Sequence, residues 1–419
     1  MELLEKVLSD SGCEPRKYQK TIIEKSFQMF NGMFLDRQGN VEPPARSVMV
    51  ESPTGSGKTV MGHMIAKMIE EHHNNNIHIG WVANRRNLLS QAAAENASLG
   101  IGVNNIDYIS MFDKHPTGLI NAKNSGKEIM MVVDEAQHDA AASMAHLHNM
   151  LEPKMILGLT ATPFRTDRVK LCFDKVVKDA GIHQLIQDGF LSRYEHYCVP
   201  DWTPQTVANF YCREPEKWGK SVVFFHKQEE CTEFARIIQE KSGMIRDRLK
   251  LLRPDMPLRG NLFHIVRGGG GKKEMDRREE ILDDFRNGDS AILINMMVLA
   301  EGFDDKTLET AFVRDSGKGP TIQMAGRVFR PHPKWSIEGN ELYKFKKVVQ
   351  STNTRWPILK TANADLQNLW QDNEWRSLTL NPLINSINNV SRVAIARAEV
   401  NFPESLTKRM KKKAKAIRF

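Results

Sequence analysis

The sequence predicts an α/β protein: two tandem parallel-sheet domains followed by a short helical, basic C-terminal extension. Three observations predict it. The chain has 419 residues, and single hydrophobic cores stop growing at about 250–300 residues. Short apolar runs alternate with helical patterns, and the scheme runs through twice, as parallel construction requires. The stretch ESPTGSGKTV at 51–60 sets a glycine-rich turn between an apolar strand and a helix, the context in which such turns hold phosphate.

Taken in order, the first domain should carry strands at SVMVE (47–51), IHIGWVA (77–83), IMMVVDE (129–135) and MILGLTA (155–161). The second should carry SVVFFH (221–226), LFHIV (262–266), AILINM (291–296) and TAFVRD (310–315). Between the groups, CVPDWTPQTV (198–207) has two prolines and polar flanks, as a linker would. The domains therefore span 1–200 and 201–345. Beyond these, amphipathic helical stretches with no strand pattern predict a helical extension over 346–419. Residues 241–259 set six Lys/Arg against two Asp and read as a solvated helix or loop.

Composition narrows the class. Charged residues at 26% and hydrophobic ones at 41% suit an ordinary globular chain. No apolar run reaches about 18 residues, so no membrane span is expected. MELLEKVLSDSG at the start lacks the basic-then-apolar signal pattern. Five cysteines, far apart and without C-x-x-C, fit a reducing compartment and argue against a zinc site. The expected location is the cytoplasm, or a host's cytoplasm for a phage protein. The net charge is 59 − 51 = +8, and seven of the basic residues lie in KRMKKKAKAIRF (408–419). Lys411, Lys412 and Lys413 in that tail are candidates for sequence-independent phosphate contacts.

The chemistry starts at the glycine-rich turn. Thr54, Gly55, Ser56 and Gly57 form a loop whose backbone N–H groups can cradle phosphates, Lys58 would reach the β- and γ-phosphates, and the Thr59 hydroxyl would ligate Mg²⁺. Strictly the G-x-x-x-x-G-K-[ST] pattern fails at its first position, where Ser52 replaces glycine. ATP hydrolysis also needs a second metal anchor and a carboxylate to orient water. MMVVDEAQH supplies both from the carboxyl end of a strand, where α/β sheets bind ligands. Asp134 would hold Mg²⁺, and Glu135 would polarise the nucleophile.

SPTGSGKT and DEAQH resemble the Walker A and Walker B boxes of superfamily 2 helicases, and further motifs follow in order. EPRKYQ (14–19) resembles the adenine-reading Q motif, with Arg16, Tyr18 and Gln19. WVANRRNLLSQ (81–91) resembles motif Ia, GLTATPFRTD (158–167) motif III, and SVVFFHKQEECTEFA (221–235) motif IV. MMVLAEGFDDKTLETAFV (296–313) resembles motif V and QMAGRVFRPHP (323–333) motif VI. The resemblance implies two RecA-like lobes with ATP and Mg²⁺ between them and nucleic acid across both. It implies that Gly302 and Asp304 border the nucleotide, Asp304 at the ribose, with Gln323 at the γ-phosphate. Arg327 and Arg330 lie three apart, face one way on a helix, and would reach the γ-phosphate from the second lobe. Thr160 and Thr162 would couple the ATP site to the nucleic-acid surface, which Arg85, Arg86, Lys272 and Lys273 would help to form.

The spellings TATPFRTD, EGFD and QMAGRVFR are similar to the XPB-like group of DNA helicases and translocases, whose compact members include phage enzymes of the UvsW kind. The expectation is an ATP-dependent motor, working as a monomer on DNA. An RNA helicase, or a nucleic-acid-stimulated ATPase switch that separates no strands, are the rivals.

Overall fold

The structure, a computed structural model, describes residues 2–36, 38–138, 142–163, 173–256, 258–268, 272–296, 299 and 303–379. Two sheets organise them. The first is six-stranded and wholly parallel, in the order β3-β2-β4-β5-β1-β6. Its strands are β1 (Ser47–Glu51), β2 (Ile77–Ala83), β3 (Ile106–Ser110), β4 (Glu128–Asp134), β5 (Met155–Thr160) and β6 (Lys175–Val177). Helices cover the sheet faces, so the central strands read as unbroken apolar runs. In β4 every residue from Ile129 to Asp134 is buried. The apolar runs marked β1, β2, β4 and β5, and missed the edge strands β3 and β6, which are less buried.

The second sheet has eight strands in the order β14-β13-β7-β12-β11-β8-β10-β9. They are β7 (Tyr194–Val199), β8 (Ser221–Phe224), β9 (Phe263–Val266), β10 (Ile292–Asn295), β11 (Thr310–Phe312), β12 (Lys346–Ser351), β13 (Leu366–Gln371) and β14 (Glu374–Thr379). All pairings are parallel except the closing hairpin of β13 with β14. Asp372 and Asn373 turn that hairpin at φ 51° and 63°, the left-handed pair that a two-residue type I′ loop requires.

Two expectations need correction. β7 belongs to the second sheet, so the change of sheet precedes Tyr194 instead of falling at 200. YEHYCV hid there because polar side chains interrupt it: His196 is buried, held by Gln350 at 3.1 Å. The stretch after 345 is not helical as far as Thr379, since it supplies β12, β13 and β14. KKVVQS opens on two lysines, yet Lys346 is 1% exposed because its ammonium donates to the Lys306 and Leu308 carbonyls. The tail with Lys411, Lys412 and Lys413 lies outside the described residues.

The basic stretch 241–259 is also less solvated than its composition suggests. It forms the helix Ser242–Leu252 and then buries Arg253, which grips the Glu309 carboxylate at 2.9 and 3.1 Å and Asp255 at 3.0 Å. The remaining lattice of buried charge runs through Lys220, paired with Asp305 at 2.8 Å. It lies beneath the loop that carries Asp304.

Candidate nucleotide-binding cleft

The glycine-rich turn lies beyond the carboxyl end of β1 and opens the helix Lys58–His72. Gly55 and Gly57 take φ 82° and 80°, a region that side chains strain. Gly57 has a second reason: a Cβ there would stand 2.5 Å from Gln19 Nε2. Ser52, the departure from the usual pattern, donates its hydroxyl to Ser56 Oγ at 2.7 Å. The Ser56 carbonyl then accepts from the Tyr18 hydroxyl (2.6 Å) and Gln19 Nε2 (2.9 Å). Four side chains thus brace the loop before any ligand arrives.

The Q-motif residues therefore have a place against the loop. Gln19 Oε1 accepts from the Arg16 N–H at 2.8 Å while its amide donates to Ser56. Both ends of the amide are engaged within the protein. Arg16 stacks its guanidinium 4.5 Å above the Phe190 ring, and Tyr18 lies 5.6 Å from the same ring. Phe190, which lines the cleft, belongs to no motif, and only the aromatic contact exposes its role.

Asp134 ends β4, and Glu135 follows at φ 53°. That conformation costs a non-glycine residue about 1–3 kcal/mol, and it turns the carboxylate toward Lys58. Burial pushes the Asp134 carboxyl well above its ordinary pKa, and the Glu135 carboxylate adds to the shift. Lys58, donating to the Pro53 carbonyl at 3.3 Å, is pulled down by burial and held up by Glu135 and Asp134. Two carboxylates and the Lys58 ammonium stand together, with Arg327 and Arg330 close enough to act on the same lysine, and the repulsion between the paired carboxylates remains. A divalent cation would relieve it, and Thr59 and Asp134 line the same cleft. The donor set fits Mg²⁺ with ATP.

Glu135 is tied onward. Gln137 Nε2 donates to its Oε2 at 3.0 Å, Thr160 Oγ1 donates to Gln137 Oε1 at 2.7 Å, and the Thr162 N–H donates to Thr160 Oγ1 at 3.0 Å. Thr162 in turn lies against Gly319, where a Cβ would meet its methyl at 3.7 Å. Gly319 opens the helix Lys318–Gly326. A continuous path thus joins the carboxylate to the other sheet's domain. Gln137 had no assigned role, and DEAQH carried it in plain view.

From the second domain, Arg327 donates to the Phe303 carbonyl at 2.6 Å, and Arg330 pairs with Asp304. Arg330 also packs over Gly55, and Gly326 abuts Thr54, leaving a Cβ only 3.1 Å of room. Gln323 is buried on the same helix. Asp304 holds an arginine here, and a ribose would have to share it. The cleft between the domains measures about 1470 Å³ and takes in Arg16, Lys58, Glu135, Asp304, Arg327 and Arg330. Glu95, which no motif flagged, lines it from the helix Arg86–Ser98. Burial raises its carboxyl, and its Oε2 has no hydrogen-bond partner among the described residues.

Arg85 and Arg86 stand where β2 gives way to that helix; Arg86, expected on the nucleic-acid surface, is exposed and lines the cleft with Lys58 and Asp134. Thr160 and Thr162 are buried in the relay instead of facing an open surface. Lys272 opens the helix Lys272–Arg286. Gly302 and the side chains of Lys272 and Lys273 lie outside the described residues.

Comparisons with known proteins agree with this layout. The family model described as Type III restriction enzyme, res subunit, matches residues 12–117 and 101–165, and that of the Helicase conserved C-terminal domain matches 203–332. A curated relative, the 51.5 kDa protein of a Lactococcus phage (isolate 7-9), is 24% identical over 285 residues, 61% of this chain. The chain spans about half, 56%, of that relative's length. Among solved structures, a variant of S. cerevisiae Dbp5 bound to RNA and ADP BeF3 has TM-score 0.52 at 15% identity, covering 85% of this chain and 90% of its own. The DUF1998 helicase MrfA bound to DNA and AMPPNP has TM-score 0.51 at 13% identity, covering 84% and 54%. The ATP-dependent Type ISP restriction-modification enzyme LlaBIII bound to DNA has TM-score 0.50 at 14% identity, covering 81% and 27%. At such identities the likeness carries the fold, two RecA-like lobes.

Proposed function

The chain belongs to the superfamily 2 helicases, and we propose that it is an ATP-driven motor acting on duplex, forked or branched DNA. One observation carries the reading: Lys58, Asp134 and Glu135 from one lobe and Arg327 and Arg330 from the other line a single cleft. The loop N–H groups and Lys58 would bind the phosphates. Thr59 and Asp134 would hold Mg²⁺, which when bound offsets charge on the phosphate oxygens. Glu135 would orient water and accept its proton. Arg327 and Arg330 would stabilise the charge that develops in phosphoryl transfer, a contribution of about 10³–10⁵ in rate for such fingers.

Because those arginines come from the second lobe, hydrolysis would depend on how the lobes sit, and hydrolysis would in turn move them. Arg85 and Arg86 would bind backbone phosphate, with little sequence preference. DNA is preferred over RNA on the spellings EGFD and QMAGRVFR. The solved relatives divide on this point, since Dbp5 holds RNA and MrfA holds DNA.

The test is ATPase rate with single-stranded DNA, duplex DNA, a four-way junction and RNA measured side by side. DNA should stimulate most, and a forked duplex should be separated only with hydrolysable ATP. Stronger stimulation by RNA would reassign the substrate. Stimulation by DNA without separation or displacement of any strand would make the protein a switch.

A further inference from the structure

The first lobe's sheet presents an aromatic ring to solvent just beyond the carboxyl end of β3. Phe112 is 65% exposed, whereas Ile109 and Met111, which precede it in the chain, are 8% and 5% exposed. Single exposed apolar residues are common and ordinarily mean nothing. Here the backbone around the ring is fastened on every side. The Met111 N–H donates to the Ala83 carbonyl at 2.9 Å, joining the loop to the end of β2. The Phe112 N–H donates to Ser110 Oγ at 3.3 Å, and the Asp113 N–H donates to the Ser110 carbonyl at 2.9 Å. The His115 N–H donates to Asp113 Oδ1 at 3.0 Å, and His146 Nε2 lies 3.2 Å from the Lys114 carbonyl oxygen. The ring is therefore held out by a fixed turn.

Its surroundings decide what it could meet. Phe112 leaves the carboxyl edge of β3, two residues beyond the rung that pairs Ser110 with Ala83. The neighbouring strand β2 leaves the same edge into Arg85 and Arg86, and adjacent strands lie ~4.8 Å apart. Lys114 and His115, both exposed, follow the ring. Between the ring and Lys114 stands Asp113, whose carboxylate is engaged by the His115 N–H. One apolar face does not suit a protein partner, which would want a patch. Among the described residues, the first lobe's other exposed large apolar side chains are Met33, Leu35 and Val41, in a separate loop, and Val176 on β6 at the far edge of the sheet. A ring on a sheet edge that also carries Arg85 and Lys114 matches single-stranded nucleic acid, whose phosphates seek cations and whose bases stack on aromatic faces.

We propose that Phe112 is a stacking platform for an unpaired base of single-stranded DNA, beside phosphate contacts from Arg85 and Arg86. The inference rests on the motor reading and adds a contact to a base, which backbone binding alone would lack. A phenyl ring offers no hydrogen bond, so the contact is indifferent to which base arrives.

Fluorescence anisotropy with an oligothymidylate and a same-length abasic oligomer tests it. The wild type should bind the intact oligomer more tightly than the abasic one. Phe112→Ala should weaken binding of the intact oligomer by about fivefold or more and leave the abasic one unchanged, so that the two affinities converge. Phe112→Trp should restore the difference. The melting temperature of Phe112→Ala should match the wild type, because the ring packs on little. An equal loss on both oligomers, or none on either, overturns the proposal while the motor reading stands. A wild type that binds no nucleic acid overturns both.

Discussion

The two lobes meet the shared cleft in different states of readiness. In the first lobe, Ser52, Ser56, Tyr18 and Gln19 already brace the phosphate loop, and Gln137 already holds Glu135. In the second, the cations face the cleft but are occupied at home: Arg327 on the Phe303 carbonyl and Arg330 on Asp304. The first lobe is a finished receptor. The second carries groups that must exchange partners before they can serve a phosphate. On the motor reading, preorganisation of this kind would let binding proceed without reorganisation, while chemistry would wait for the second lobe.

Arg327→Ala and Arg330→Ala test the contrast most severely. Each should lower nucleic-acid-stimulated hydrolysis by about 10³ or more, while ATP affinity falls far less. Steady-state kinetics beside nucleotide titration measure the two. Equal losses in both would erase the difference between the lobes.

Glu135→Gln probes the prepared side. The amide keeps the shape at φ 53° but cannot take a proton, so turnover should fall by about 10²–10⁴ with ATP binding retained. Near wild-type turnover in a single-turnover assay would remove Glu135 from the chemistry.

A third test concerns what each lobe spends on buried charge. Arg253 and Glu309, 3% and 5% exposed, anchor the second lobe alone. Glu309→Gln leaves the guanidinium with Asp255 as its one carboxylate partner among those the structure gives it. Unfolding in urea should show a loss of about 3 kcal/mol, the cost of breaking a buried pair. A change under about 1 kcal/mol would show that the pair is dispensable.

The smallest expected effect is shared by both lobes. His63 in the first stacks on Trp81 at 4.1 Å, and His196 in the second faces Gln350. Burial drives both pKa values down to about 4. The unfolded chain, with histidine near 6.5, binds more protons in that interval, so stability rises with pH there. The contribution is fully present above about pH 6.5 and drains away as pH falls through about 4, costing up to about 3 kcal/mol per histidine. His63→Gln should flatten the acid limb of the first lobe's unfolding, followed by Trp81 fluorescence. An unchanged slope would mean that His63 charges freely in the folded state.

Legibility in the sequence followed burial. IMMVV before Asp134 announced β4 because both its faces are covered, whereas YEHYCV and KKVVQS form strands that polar partners make tolerable. His196 needs Gln350, 154 residues away in the chain, and Lys346 needs two carbonyls from the loop before β11. No local pattern contains such partners. The same holds for the hairpin β13–β14, whose alternation is half polar.

By itself, the sequence determined the phosphate loop, the acidic pair after β4 and the arginines three apart. The first two are short-range demands, a glycine where φ must be positive and a carboxylate at a strand's end. The arginines do not share a helix face as expected, because the helix ends at Gly326 and both lie past its end. Only the tertiary structure decided that Gln19 props up Ser56, that Phe190 carries Arg16, and that Asp304 holds Arg330. It also decided that the ring of Phe112 stands in water while Met111 before it is buried. These outcomes depend on which surfaces two distant segments bring together, and a single chain's local periodicity has no term for that.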